Sequence, residues 1–457
     1  MNSMTPTLPL WGRAAVLGGG LTGLVAARVL ADHFEQVTLV EQSAGLQRNG
    51  SGEEAHPPDV LLVRNQAYLE GLFPGLLDEL HAAGAVSFNM GLHVEWCLFG
   101  RWRPRYRSRL EVTACSRALL ESVLHRRVMM HPRLHLLRGS EAAGLIVEAE
   151  GTRARGVQLR ASGGTEELPA ALVVDARGRA SEASAWLTSL GFAPPKQTVV
   201  SVRPCYATRV YRRPASSRQS SQMIYVQPAP PYSTQGAILL PFEANRVSLT
   251  LIDMAGGPLP ADEQAFAAFL RALPTSRIAD AIQGAEPLTP IHSYQCHEER
   301  ISHFDRLPRY LERFVVLAEG MCSLNPAHGE DTAVAVAGGS VLDACLNEAR
   351  EQHRGDLSGF ARRFQRQLAD ALAGPYQMAV SEDRRWLWTP GEGQSDPSAH
   401  ESVERYMAHL MTATLTNSRV LETFYRVQQM MDTPVAFFNP EIVLEVMGAL
   451  PPVATHR

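Results

Sequence analysis

The stretch Ala14-Ala15-Val16-Leu17-Gly18-Gly19-Gly20-Leu21-Thr22-Gly23, followed by Val37-Thr38-Leu39-Val40-Glu41, decides the fold of this chain. Its pattern predicts a buried strand, a glycine turn, a helix and a second strand that ends on an acid. A carboxylate at the end of the second strand can accept hydrogen bonds from both hydroxyls of an adenosine ribose. Together the two segments predict a dinucleotide-binding unit within an α/β domain.

Each glycine of this turn has a physical role. Gly18 permits the tight turn, Gly20 leaves room for a pyrophosphate, and Gly23 lets the helix pack closely on the sheet. The helix that begins at Leu21 and Thr22 offers the phosphates unpaired N–H groups and the positive end of its dipole. The acid after the second strand would repel a 2′-phosphate. The motif alone does not separate FAD from NAD.

Composition narrows the class of protein. The chain has 457 residues, of which 45% are hydrophobic and 20% charged, and its formal net charge is −4. That charge offers no basic field for nucleic acid, and neither a membrane-spanning apolar run nor a signal peptide is evident, so we expect a cytoplasmic protein. Six cysteines are scattered without a Cys-x-x-Cys pair, which argues against a metal site or a disulfide framework.

The hydrophobic pattern changes along the chain and predicts several regions. An α/β region at 10–195 contains the dinucleotide unit, with an excursion toward the substrate side near 85–110. Alternating strands predict an inserted antiparallel sheet at 196–300. A buried parallel-type strand returns the chain to the first domain at 301–350. Residues 351–457 are predicted to be mostly helical.

Three later segments carry a resemblance to a known family. They are Ala114-Cys115-Ser116-Arg117-Ala118-Leu119-Leu120-Glu121, Leu172-Val173-Val174-Asp175-Ala176-Arg177-Gly178-Arg179-Ala180-Ser181, and Phe314 to Thr332. With the glycine turn, they resemble FAD-dependent monooxygenases of the p-hydroxybenzoate hydroxylase type, and most closely bacterial polyketide and polyether epoxidases related to squalene epoxidase. The resemblance implies a Rossmann-like FAD-binding domain, an inserted antiparallel substrate domain and a helical C-terminal region.

The resemblance also implies which residues bind FAD. They are Gly18, Gly20, Leu21, Thr22, Gly23, Glu41, Arg48, Arg117, Ala142, Asp175, Glu319, Pro326, Gly329 and Asp331. Arg48 and Arg117 would contact the pyrophosphate or ribityl region as charge-assisted donors. Ala142 would contribute backbone contacts near the adenine. Asp175 begins an Asp-x-x-Gly turn toward the cofactor, although a strand-ending Asx turn has the same pattern.

One turn departs from the family pattern. The family's Pro-x-x-Gly-x-Gly-Met turn is Pro326-Ala327-His328-Gly329-Glu330-Asp331-Thr332 here, so an acid replaces the second glycine. If ionised and about 4–5 Å from the flavin, Asp331 would disfavour the anionic reduced ring by roughly 3–4 kcal/mol at an effective dielectric of about 20. Alternatively, Asp331 caps the following helix and turns its carboxylate onto backbone N–H groups.

The resemblance implies the chemistry. FAD, reduced by NAD(P)H or a separate flavin reductase, would react with O₂ to give a C4a-hydroperoxide, which transfers one oxygen to an alkene or aromatic ring of a hydrophobic polyketide or terpenoid intermediate. This needs no catalytic side chain. The alternative is a redox-silent cyclase or isomerase that keeps FAD as a scaffold, with His328, Glu330 and Asp331 as candidates for acid and base groups.

The substrate is expected between the flavin ring and the antiparallel sheet. The residues predicted to line that pocket are Tyr206, Thr208, Met223, Tyr225, Phe242 and Leu249. Their apolar and aromatic character indicates a large hydrophobic substrate, although a protein core would use the same side chains.

Overall fold

The computed structural model describes residues 10–42, 57–161, 164–213, 223–230, 233–325, 331–384, 386 and 397–448. Several predicted site residues lie outside these ranges, and they are Arg48, Pro326, His328, Gly329 and Glu330.

In the described ranges the helices are α1 Leu21–Ala31, α2 Val63–Leu72, α3 Leu76–Ala82, α4 Arg117–Met129, α5 Ala183–Ser189, α6 Glu263–Ala272, α7 Arg277–Ala281, α8 Asp331–Glu351, α9 Phe360–Arg384, α10 Pro397–Ala413, α11 Ser418–Gln428 and α12 Pro440–Gly448. The strands are β1 Trp11–Leu17, β2 Phe34–Glu41, β3 Asp59–Leu61, β4 Val86–Asn89, β5 Val94–Leu98, β6 Arg101–Trp102, β7 Glu111–Cys115, β8 Leu134–Arg138, β9 Glu141–Val147, β10 Ala154–Ala161, β11 Gly164–Pro169, β12 Leu172–Asp175, β13 Gln197–Ser201, β14 Cys205–Arg212, β15 Met223–Val226, β16 Gln235–Phe242, β17 Arg246–Asp253, β18 Glu286–Pro287, β19 His292–Gln295, β20 Glu298–Ser302, β21 Phe314–Val316 and β22 Cys322–Ser323.

A parallel sheet in the order β21-β12-β1-β2-β8 forms the core of the first domain. All residues of β12 and β21 are buried, as the apolar sequences of these strands predict. Leu17 at the end of β1 pairs with Val40 on one side and Asp175 on the other. The strand order reverses at β1, and open α/β sheets bind ligands at the carboxyl edge of such a switch point.

An eight-stranded sheet forms a second layer in the order β18-β14-β17-β16-β15-β5-β6, with β19 paired to β14. Strands β14 to β17 pair in antiparallel fashion, whereas β15 pairs in parallel with β5. One face of the sheet packs on α6 and α7, in a buried cluster that includes Leu249, Phe266 and Ile278. The opposite face of the sheet lines a cavity.

The C-terminal helices lie on the other side of this cavity. Helix α8 packs on α1 and α9, while α10, α11 and α12 share a buried cluster that includes Phe437. Leu421 and Tyr425 of α11 pack with Trp96 of β5. The predicted fold, an α/β domain with an inserted sheet and C-terminal helices, is confirmed. In the described part of the chain, each helix is too short or too polar to cross a membrane.

Candidate functional site

The glycine turn after β1 fits a closely approaching dinucleotide. Gly18 has φ +107°, and a Cβ there would lie 2.8 Å from the carbonyl oxygen of Ala176. A Cβ on Gly23 would lie only 1.8 Å from the carbonyl oxygen of Gly18. Only glycine satisfies both positions, so the turn is held tightly against the first helical turn of α1.

The N-terminus of α1 is capped from another helix. Its N-cap residue, Gly20, supplies no side-chain hydrogen bond, and the first turn of the helix carries no acid. The backbone N–H of Leu21 instead donates to Oε1 of Glu121 in α4, at 3.1 Å. A carboxylate therefore lies at the helix end where dinucleotide phosphates bind in this type of turn.

Glu41 ends β2 at the same edge of the sheet. Its side chain lies against the glycine turn, since a Cβ on Gly19 would be 2.8 Å from Cδ of Glu41. Oε2 of Glu41 is 3.8 Å from Nε of Arg138, and Arg138 also contacts His125 at 3.1 Å. A carboxylate at this position suits the two hydroxyls of an adenosine ribose.

Arg117 begins α4 and is held by an acid that the sequence analysis did not identify. Ser116 caps the helix by accepting a hydrogen bond from the N–H of Leu119. Nε of Arg117 lies 2.8 Å from Oδ2 of Asp59, and Nη2 donates to Oδ1 at 2.9 Å. The hydroxyl of Thr332 donates to the same Oδ1 at 3.3 Å. Asp59 thus connects Arg117 to the start of α8 across the cofactor side of the site.

Asp175 forms the strand-ending Asx turn that was one of its two predicted roles. Its fully buried carboxylate accepts hydrogen bonds from the backbone and guanidinium of Arg177 and from the hydroxyl of Ser181. Its side chain therefore holds the turn. Gly178 has φ +62°, and a Cβ there would be 3.1 Å from Oε2 of Glu319. Gly178 and Glu319 thus meet at the cavity wall.

A cavity of about 2620 Å³ continues from this turn to the C-terminal helices. Predicted cofactor residues in its wall are Gly18, Gly20, Leu21, Thr22, Glu41, Arg117, Ala142 and Glu319. Gly23 and Asp175 lie behind the wall. Ligand pockets usually measure about 300–1,000 Å³, so this cavity has room for a dinucleotide and a large second ligand.

Three of the predicted substrate residues line the cavity, namely Tyr206, Met223 and Tyr225. They alternate with residues that face α6, as the period of two in a strand requires. Ser248, Thr250 and Ile252 of β17 and Ile238 and Leu240 of β16 line the same wall.

The other three predicted substrate residues lie elsewhere in the sheet. Leu249 projects from the opposite face of β17 into the core around Phe266. Thr208 is fully buried, and its hydroxyl lies 2.9 Å from that of Thr250. Phe242, also buried, lies at the end of β16. Cζ of Arg246 is 4.5 Å from the centroid of the Phe242 ring. None of the three is part of the cavity wall.

Most residues of the cavity wall opposite the glycine turn were not predicted from the sequence. Trp96 of β5 donates from Nε1 to Oε1 of Gln227 at 2.9 Å, and both residues line the cavity beside Phe424 of α11. Methionines complete the apolar surface at Met378, Met407, Met411 and Met430. Trp96 lies in a recognisable apolar strand, but the helical residues meet it only through tertiary packing.

A buried polar chain begins at Tyr206, on the sheet side of the cavity. The hydroxyl of Tyr206 donates to Oδ1 of Asn325 at 2.9 Å, and Nδ2 of Asn325 donates to Oδ2 of Asp383 at 3.4 Å. Tyr206 also stacks on Tyr294, with ring centroids 4.8 Å apart. Burial raises the pKa of Tyr206 well above its usual value, so the phenol stays protonated and remains a donor.

Two further observations limit the chemistry of the described residues. Their six cysteines are buried and form no disulfide with one another, which fits small core residues. Within the described ranges, no three histidine, cysteine or acidic side chains come together as a metal-binding group.

Comparison with known proteins gives the site a context. Residues 13–212 match the family model for an FAD binding domain. Protein Rv3254 of Mycobacterium tuberculosis is 26% identical over 371 residues, and the match covers 77% of this chain and 76% of that protein. The structure of PqsL from Pseudomonas aeruginosa, a probable FAD-dependent monooxygenase, is 16% identical with a TM-score of 0.61, over 82% of this chain and 98% of its own. p-Nitrophenol 4-monooxygenase PnpA from Pseudomonas putida DLL-E4 is 13% identical with a TM-score of 0.65, over 94% and 100% of the two chains.

The family match and the glycine turn support FAD as the cofactor. At such identities the solved structures show a shared fold, and a flavin-dependent halogenase also has it. The fold therefore does not fix the reaction. The closer resemblance to polyketide and polyether epoxidases stays a prediction.

Proposed function

We propose that this protein is an FAD-dependent monooxygenase that inserts one oxygen atom of O₂ into an alkene or aromatic ring of a large hydrophobic intermediate, such as a polyketide or terpenoid. The observation that carries this proposal is the continuity of the cavity, which joins the glycine turn at Gly20 to an aromatic wall at Trp96 and Tyr225. The whole substrate must be a small molecule that enters this cavity.

The residues of the glycine turn bind and orient the cofactor. The N-terminus of α1 takes the pyrophosphate and Glu41 takes the adenosine ribose, while Arg117 lies at the wall between them and α8. When bound, FAD supplies the electrons that activate O₂. Those electrons come from NAD(P)H or from a separate reductase, because the sequence contains one glycine-rich unit of this kind.

The second wall positions the substrate and excludes water. Tyr225 and Trp96 lie with ring centroids 5.0 Å apart, and Phe424 meets Trp96 edge to face at 5.7 Å. Rigid rings of this kind hold a flat or polyene substrate at low entropic cost. The methionines of the C-terminal helices adapt to its irregular outline.

A redox-silent cyclase or isomerase is the second candidate. It is favoured by the position of Asp331, which is the first residue of α8 and replaces a glycine of the family pattern. An acid at the start of that helix opposes negative charge on the flavin, if the carboxylate faces the ring. The same pocket would then supply acid and base groups rather than activated oxygen.

Isotope incorporation distinguishes the two candidates. The purified protein, supplied with FAD and a reductase system, is incubated under ¹⁸O₂ with a panel of polyene and polycyclic aromatic compounds, and products are analysed by mass spectrometry. A monooxygenase gives a product containing one ¹⁸O atom. An isomerised product that forms equally well without O₂ supports the cyclase and contradicts the monooxygenase.

A further inference from the structure

The N-terminus of α1 carries a negative side chain at the position that FAD needs. Oε1 of Glu121 accepts a hydrogen bond from Leu21 at 3.1 Å. The same oxygen would be 3.7 Å from a Cβ on Gly20, so it lies directly against the glycine turn. Glu121 also lines the cavity.

A carboxylate and a pyrophosphate are attracted to this helix end for the same reason. The first N–H groups of a helix lack intrahelical partners, and the helix dipole places positive charge there. Neither Gly20 nor the first turn supplies a side-chain anion of its own. Glu121 therefore provides from α4 the negative charge that a bound phosphate would otherwise provide.

Two neighbours of Glu121 along α4, Arg117 and His125, have contacts of their own. Arg117, one turn before it, makes two contacts to Asp59. His125, one turn after it, contacts Arg138, and Arg138 pairs with Glu41. Asp59 and Glu41 thus line the same cavity as Glu121, and each lies beside an arginine.

We infer that the charge of Glu121 opposes the pyrophosphate of FAD at the N-terminus of α1 and so determines how tightly the protein holds its cofactor. This inference rests on the proposed FAD binding. Because like charges repel across a short distance at this partly buried site, FAD exchanges with solution more readily than the glycine turn alone would permit. Glu121 is an affinity-determining residue and takes no part in the oxygen chemistry.

The variant Glu121→Gln isolates the charge, because a glutamine keeps an oxygen that accepts the hydrogen bond from Leu21. Full-length protein is stripped of flavin, and FAD is titrated by quenching of its fluorescence at 50 mM and 500 mM salt. We expect FAD to bind at least tenfold more tightly to Glu121→Gln, with a smaller difference at high salt, because salt screens the repulsion. Glu150→Gln is the matched control, since Glu150 is exposed and outside the cavity wall.

Competition against FAD separates charge from shape. ADP, which carries the pyrophosphate, gains affinity in Glu121→Gln, whereas adenosine does not. Equal or weaker FAD binding by Glu121→Gln would overturn the inference. The carboxylate would then serve only to link α4 to α1 through its hydrogen bond with Leu21. If neither protein binds FAD at all, the proposed function fails together with the inference.

Discussion

The hydroxyl of Tyr206 donates a hydrogen bond of 2.9 Å to Asn325, and so joins the eight-stranded sheet to the segment that follows β22. Tyr206 belongs to β14, whereas Asn325 follows β22 in the segment that leads toward α8. Both residues are almost completely buried. A polar contact inside the protein therefore connects a strand that lines the cavity to the segment before α8.

Tyr206→Phe tests this connection. The change keeps the stacked ring but removes the donor, so the buried Oδ1 of Asn325 loses this partner, which costs about 1–3 kcal/mol. Urea unfolding should show that loss of stability while FAD affinity remains within about twofold. An unchanged unfolding midpoint would contradict the role assigned to this hydrogen bond.

Gly23→Ala tests the glycine cradle. The added methyl group would lie 1.8 Å from the carbonyl oxygen of Gly18, so the turn must open and FAD binding should be lost. Gly71→Ala is the control, because a Cβ on Gly71 in α2 meets no atom within 4 Å. We expect the control to bind FAD normally and to gain up to about 1 kcal/mol of stability. Normal FAD binding by Gly23→Ala would refute the assignment.

Arg103→Met tests the energetic role of a buried cation. Arg103 is 6% exposed, and the hydroxyl of Tyr425 lies near its guanidinium. Its guanidinium stacks 4.0 Å from the ring centroid of Trp96 and 4.5 Å from that of Phe424. Burial lowers the pKa of Arg103 to about 10, so the folded state disfavours the charged form that exists at neutral pH.

Methionine keeps much of the packing of Arg103 and removes the charge. We therefore expect Arg103→Met to be neutral or to stabilise the protein by about 1–4 kcal/mol in thermal or urea unfolding. A loss of more than about 1 kcal/mol would show that the guanidinium has a stabilising partner.

Neighbouring residues of β15 give a matched pair for the cavity. Met223 lines the cavity, whereas Ile224 packs in the core with α6. Ile224→Ala should lower stability by about 2–5 kcal/mol and leave ligand affinity unchanged. Met223→Ala should cost less stability and weaken binding of a fluorescent polycyclic aromatic probe. The opposite assignment of effects would mean that the cavity face has been identified wrongly.

The cofactor turn could be predicted from sequence because its signals are local. Gly18, Gly20 and Gly23 follow a strand and open a helix, and the surrounding backbone requires glycine at Gly18 and Gly23. Asp59 could not be found in this way, since its contact with Arg117 joins segments separated by 58 positions.

The orientation of the two faces of β17 shows why the substrate wall was harder to predict than the cofactor turn. Val247, Leu249 and Leu251 form its apolar side, which suggested a hydrophobic pocket lining at Leu249. In the structure that side packs against α6, and Ser248 and Thr250 face the cavity. The alternation of side chains along a strand separates its two faces. It does not show which face packs on a helix and which lines a cavity.

The most direct test of the account is a visible spectrum of the purified protein, followed by anaerobic reduction with dithionite and re-exposure to air. The account predicts bound oxidised flavin that absorbs at about 450 nm, bleaches on reduction and recovers with O₂. Bound flavin that resists reduction would contradict the monooxygenase and favour the redox-silent candidate. A protein that binds no flavin even with added FAD would contradict the cofactor assignment itself.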